Sequence, residues 1–213
     1  KQRFRSGADA GTLNITAAND AINGGYDVTI LSGTINITAG DDAIHADRIL
    51  TIGSEDESGP VINISKCSEG LEATVINLFG GEGTVVSSDD AVNAADSERT
   101  YAAEMTYSIN VTGGTWVIRS SGDGLDSNGN VNITGGSVTI TSAVSAGEAG
   151  IDYDGSCYIA DGTVTNNSGV SGPDMMGGMA GGMKGGAVSG MTGGTNGSAA
   201  GTVPGGMNGG FRR

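Results

Sequence analysis

Ile35-Asn36-Ile37-Thr38-Ala39-Gly40-Asp41-Asp42-Ala43-Ile44-His45-Ala46-Asp47 reads as an alternating apolar/polar run, then an acidic turn, then another apolar residue. Related stretches run from Leu13 to Asn23, Ile62 to Glu72, Gly83 to Asn93 and Trp116 to Asp126. In each, an acid follows the last inward apolar residue by five positions and the next apolar residue follows it by seven. The sets are Ile15/Asp20/Ile22, Ile37/Asp42/Ile44, Ile64/Glu69/Leu71, Val85/Asp90/Val92 and Ile118/Asp123/Leu125. Five copies without slippage identify an internal repeat, and a repeat decides the architecture before any single segment does.

A further family of short apolar segments lies between these copies: Val28-Thr29-Ile30, Leu50-Thr51-Ile52, Ile76-Asn77-Leu78, Ile109-Asn110-Val111, Val131-Asn132-Ile133 and Cys157-Tyr158-Ile159. The step from Ile30 to Ile37 is seven residues and that from Ile22 to Ile30 is eight, so the minimal repeat is 22 residues with three apolar segments. Spacing of two within segments and abundant Gly and β-branched residues exclude helices. Three short strands per repeat with Gly, Asn and Asp at the corners predict an all-β parallel β-helix. Crossover connections are almost always right-handed, which sets the expected hand. Inward Ile, Val and Leu should then stack in columns about 4.8 Å apart. Departures from the period place loops at 53–60, at 94–107 with Arg99, Tyr101 and Tyr107, and at 143–147. For the second loop, a sugar platform and simple packing onto the coil stand as equal alternatives. The sequon-like Asn14, Asn36 and Asn132 fall in strands and read as the outward polar half of the alternation.

Composition divides the chain into three parts. Residues 1–10 match no repeat and read as a leading segment or cap; residues 11–172 carry the solenoid; residues 173–213 form a Gly/Met-rich tail. That tail holds six of the seven Met residues. It has too little to bury to offset its ordering entropy, which predicts a flexible tail or linker, with a soft-metal site or a self-association strip as the alternatives. The start at Lys1 reads as a mature form or a fragment. No apolar run is long enough to span a bilayer. Cys67 and Cys157 occupy different positions of the repeat, so free thiols are expected rather than a disulfide. The net charge of -14 is localised, since nearly all the acids lie before the tail, which has Asp174 against Lys184, Arg212 and Arg213. It disfavours nucleic acid and anionic membrane and favours cations.

In a stacked solenoid Asp20, Asp42, Glu69, Asp90 and Asp123 form one file. Asn19, Asp41, Ser68, Asp89 and Gly122 form the next, and Asn23, His45, Glu72, Asn93 and Asp126 a third. Carboxylates one rung apart repel by roughly 3–4 kcal/mol per pair at an effective dielectric near 20, so protons or cations must offset them. Hard oxygen donors without a Cys/His cluster select Ca²⁺. The candidate groups are Asp41, Asp42 and Glu69; Asp89, Asp90, Asn93 and Asp123; and Asp123, Asp126, Asp152 and Asp154. The competing reading is a solvated acidic edge that keeps the solenoid soluble. His45, the one histidine, reads as a surface residue.

The units Gly40 to Asp47, Ser88 to Ala95, Gly122 to Gly129 and Gly150 to Gly155 resemble, in order, those of the bacterial carbohydrate-binding domain proteins that form right-handed parallel β-helices. Those proteins are similar in shape to family 9 pectate lyases. The resemblance spans roughly Gly11 to Val164. It implies an extracellular protein that holds Ca²⁺ between coils and binds polygalacturonate and cellulose-like material. Against that resemblance, the N-terminal coils read as short or missing, and the Met/Gly tail stands in place of the expected later sequence. Three functional classes follow. The first is a non-catalytic, calcium-dependent polysaccharide-binding module. The second is a polyuronate lyase with Lys66 as base. The third is an adhesin or filament subunit that associates through its coil ends or tail.

Overall fold

Alternating β-branched segments separated by tight corners leave one face of each strand to be covered, and the chain covers it by stacking strand on strand. The computed structural model describes residues 11–173 except 55–58, 97–100, 102–103, 144–147 and 162. The leading segment, the tail beyond Pro173 and Arg99 lie outside the described residues. The first rung carries β1 (Thr12–Thr16), β2 (Ile22–Gly24) and β3 (Asp27–Ile30). The next carries β4 (Thr34–Thr38) and β5 (Ile44–Ile52), and the third β6 (Val61–Cys67) and β7 (Leu71–Leu78). Then follow β8 (Glu82–Ser87), β9 (Val92–Ala94) and β10 (Ser108–Val111), and after them β11 (Thr115–Arg119), β12 (Leu125–Ser127) and β13 (Asn130–Ile133). The last strands are β14 (Ser137–Thr141), β15 (Ile151–Tyr153), β16 (Cys157–Ile159), β17 (Val164–Asn166) and β18 (Val170–Ser171).

The architecture is all-β with parallel strands in two curled sheets. The first strand of every rung joins one seven-stranded sheet in the order β1-β4-β6-β8-β11-β14-β17. The remaining strands form an eleven-stranded sheet, and β5 and β7 run unbroken through both of its halves. The expected columns are present in register. Ile15, Ile37, Ile64, Val85, Ile118 and Ile140 pair in succession, and Asn166 closes that column. Ile22, Ile44, Leu71, Val92, Leu125 and Ile151 form another. From Ile44 to Ile151 the apolar members of these two columns are fully or almost fully buried. Asn166, also fully buried, donates to the Gly169 carbonyl and accepts from the Ser168 N–H, so its polar atoms are satisfied at the column's end.

The corner into the first sheet explains much of the glycine. Gly33, Gly81, Gly114 and Gly136, each one residue before a strand, have φ of 95°, 93°, 86° and 77°, a region other residues enter at a cost. Gly83 has a different reason: a Cβ there would lie 2.1 Å from the buried Trp116 ring, its in-register neighbour. The sequon-like asparagines make outward ladders, Asn63 to Asn36 to Asn14 and Asn132 to Asn110 to Asn77, with amide-to-amide distances of 2.7–3.1 Å. Cys67 and Cys157 are free thiols, as expected. Among the described residues no helix is long and apolar enough to cross a membrane.

Candidate functional site

Parallel register carries each acidic turn onto the next. Backbone bonds Ala43 N–H to Glu69 O, Gly70 N–H to Asp90 O and Ala91 N–H to Asp123 O hold the main file in line. Ser68 N–H to Asp41 O, Asp89 N–H to Ser68 O and Gly122 N–H to Asp89 O align the second. The third file is fixed by strand pairing: Asn23, His45, Glu72, Asn93, Asp126 and Asp152 are successive partners.

Several of these carboxylates have a structural duty. One oxygen of Asp90 accepts the Asp123 N–H at 2.6 Å, one of Asp20 accepts the Asp42 N–H at 3.3 Å, and Asp123 accepts the Ala149 N–H. Each thereby satisfies a turn amide of the following rung and leaves its second oxygen for another partner.

The files gather into clusters whose ligand atoms lie within 4.8 Å of one another: Asp20/Asp41/Asp42, Asp42/His45/Glu72, Asp90/Asp123/Glu148 and Asp123/Asp126/Asp152. The grouping differs from the one read off the spacing. Asp42 meets Asp41 but gathers with His45 and Glu72 instead of Glu69. Glu69 accepts a 2.9 Å hydrogen bond from Asn93 Nδ2. Asp89 is exposed, and its Oδ1 and that of Asp90 both border the space that a side chain at Gly122 would need. Asp123, Asp126 and Asp152 come together as expected, with Asp154 exposed at the margin. Lys66 is exposed on β6, opposite Thr38 at a register shift.

His45 is no idle surface residue. Its Nδ1 lies 2.9 Å from Glu72 Oε2 and 3.3 Å from Asp42 Oδ2, and Nε2 lies 3.2 Å from Asp47 Oδ1. Hydrogen bonds to Asp42 and Glu72 push the imidazole up to about 10. Burial is the largest influence on Glu72 and raises it, but the hydrogen bonds to His45 and Asp42 and the His45 charge together outweigh it, and the carboxyl ends below its ordinary value. His45 therefore brings one internal positive charge to the pair of carboxylates Asp42 and Glu72, and burial raises Asp42. Asp20, His45, Glu72 and Glu148 are cluster members that the candidate groups read from the spacing left out. For His45 and Glu72 the clue was present, since they share a file with Asp126.

Among the described residues the carboxylates of the lower rungs make no such ion pair. Burial, reinforced by Asp90, Asp123, Asp152 and Asp154, pushes Asp126 up to about 7. Burial, then the charges of Asp90, Glu148 and Asp152, holds Asp123 at about 6 against the Ala149 bond. Burial raises Asp90 as well and places Glu69 at about 7. Beside this group is Asn93, 9% exposed, whose Nδ2 is committed to Glu69 while its buried Oδ1 has no hydrogen-bond partner. Asn93 is the in-register neighbour of Asp126, so an unsatisfied acceptor stands next to a set of acceptors. Buried orphan acceptors are uncommon and call for a donor or a cation. The oxygen-only set of Asn93, Asp123, Asp126 and Asp152 fits a hard divalent cation that takes six to eight oxygens.

Comparison with known proteins places residues 8–147 in a match to a family model described as carbohydrate-binding domain-containing protein. No curated protein and no solved structure matches the chain.

Proposed function

The chain belongs to the carbohydrate-binding domain-containing protein family, and from that premise we propose a secreted or surface-bound, non-catalytic module that binds acidic polysaccharide with the help of Ca²⁺. Its body is a right-handed parallel β-helix, the hand following from the bias of parallel crossovers. The observation that carries the calcium reading is the orphaned Asn93 Oδ1, buried next to Asp126 in a group of carboxylates that makes no ion pair with Lys or Arg among the described residues.

Asn93, Asp123, Asp126 and Asp152 are the residues that would hold the ion, with Asp90 and Glu148 adjoining. Asp90 and Asp123 keep one oxygen each on a backbone N–H, which orients the other. Bound Ca²⁺ supplies neutralising charge and open coordination positions for uronate carboxylates. An acidic protein could then hold an acidic chain such as polygalacturonate, which its own charge would otherwise repel.

The test is affinity electrophoresis in gels containing polygalacturonate, with calcium or with a chelator. Retardation in calcium and free migration in chelator, with Asp126→Asn migrating freely in both, is the expected pattern. Retardation that ignores the chelator would remove calcium from the account. No unsaturated uronide is expected to form; its formation, lost in Lys66→Ala, would transfer the protein to the lyases.

A further inference from the structure

The corner between the two halves of the larger sheet carries a second cluster, remote in kind from the carboxylate group. The Arg48 guanidinium carbon lies 3.9 Å above the centroid of the Tyr26 ring. Arg48 Nε and Nη2 also donate to the two oxygens of Asp27, at 2.7 and 2.5 Å. Tyr101, from the loop between β9 and β10, reaches the same place from three rungs away. Its ring centroid is 5.8 Å from that of Tyr26, at an interplanar angle of 77°. Tyr101 is held locally by its N–H to Asp96 and by its carbonyl, which accepts from the N–H groups of Glu104 and Met105. Two rings nearly at right angles make a floor and a wall.

If these contacts served only to seat the loop, they should enclose the rings. Tyr26 instead remains 51% exposed after both are made, in a chain with 4% aromatic residues. Asp47 lies alongside: Oδ1 is bonded to His45, while Oδ2 faces Gly25 and makes no hydrogen bond among the described residues. Gly25 has no side chain to obstruct it.

We propose that Tyr26 and Tyr101 form a stacking subsite for one neutral hexopyranose unit of a polysaccharide, with Asp47 accepting hydrogen bonds from its hydroxyls. A pyranose has an apolar C–H face that suits an aromatic ring, and equatorial hydroxyls that suit a carboxylate. The charge at the corner selects the neutral sugar: Arg48 is already satisfied by Asp27, which leaves Asp47 to repel a bare uronate. This subsite needs no metal. It rests on the polysaccharide-binding reading but not on its calcium step, so the two can fail separately.

The experiment is isothermal titration with cellohexaose and with mannohexaose in chelator, on the full chain. Wild type is expected to bind at least one of them. Tyr26→Ala should weaken that binding at least tenfold, Tyr26→Phe should keep it within about threefold, and Tyr158→Ala, an exposed tyrosine elsewhere on the sheet, should leave it unchanged. Tyr101→Ala should weaken binding to a similar degree, and it replaces Tyr26→Ala as the test if that variant melts early through loss of the Arg48 stack. Binding undiminished in both alanine variants, or no binding of either glucan or mannan by wild type, overturns the subsite. Calcium-dependent retention on polygalacturonate should persist in Tyr26→Ala. Its absence from wild type alongside intact hexaose binding would refute the calcium reading and leave this one standing.

Discussion

Asp126→Asn is the substitution whose consequences follow most directly from the structure. Asp126 lies under burial and the charges of Asp90, Asp123, Asp152 and Asp154, and its carboxyl moves from the ordinary 3.8 to about 7. Between these values the unfolded chain has released the proton and the folded chain retains it. Stability of the calcium-free protein must therefore fall as pH rises from about 4 to about 7, with the full loss present above 7. The unscreened equivalent is about 4 kcal/mol, and partial exposure to solvent reduces it to about 1–2 kcal/mol. For a chain of this size that is about 2–8 °C in Tm, so the chelated protein should melt lower at pH 8 than at pH 5. Asp126→Asn should remove that part of the fall and melt higher than wild type at pH 8 in chelator. Calcium at a hundredfold excess over Kd should raise wild type by about 2.7 kcal/mol, and the variant by far less. Differential scanning calorimetry at pH 5 and pH 8, with calcium or chelator, reads all four cases. A chelated wild type whose Tm is flat or rising across that interval would refute the reasoning, because the carboxylates would then not be straining the folded state.

Other predictions concern the frame. Ile118→Ala empties a fully buried place in a column between Val85 and Ile140 and should cost about 2–5 kcal/mol in urea unfolding. Gly136→Ala puts a Cβ at φ +77° and 2.8 Å from the Gly113 carbonyl carbon, so it should destabilise by more than the roughly 1 kcal/mol of an open left-handed site; an unchanged Tm would mean the corner relaxes freely. Burial pushes the Cys67 thiol up to about 12, so native protein at pH 8 should resist maleimide at that position until denaturant is added, as peptide mass mapping would report.

The offset of five and seven residues made the columns legible because a stacked strand repeats its environment at every rung, so one misplacement would disrupt all its neighbours. The free cysteines and the outward asparagines followed from the same reading. Less visible was the fusion of two strand segments into β5 and β7, since it depends on pairing that continues past the register shift between Ala46 and Ile49. The composition of each acidic cluster was also partly hidden. Spacing placed Asp42 and Glu69 in one file, but side-chain length and rotamer sent Asp42 toward His45 and turned Glu69 toward Asn93. Glu148 follows a break in the period, where counting from the previous rung fails.

Sequence alone determined the all-β repeat, the three acidic or polar files and the places where loops leave the stack, because period and polarity are local properties of a chain that meets itself at fixed intervals. The tertiary structure decided which carboxylates share a cluster, that His45 pairs with two of them while Asn93 leaves an acceptor bare near another group, and that Tyr101 returns across the rungs to Tyr26. Those outcomes depend on rotamers and on contacts between residues far apart in the chain, about which periodicity carries no information.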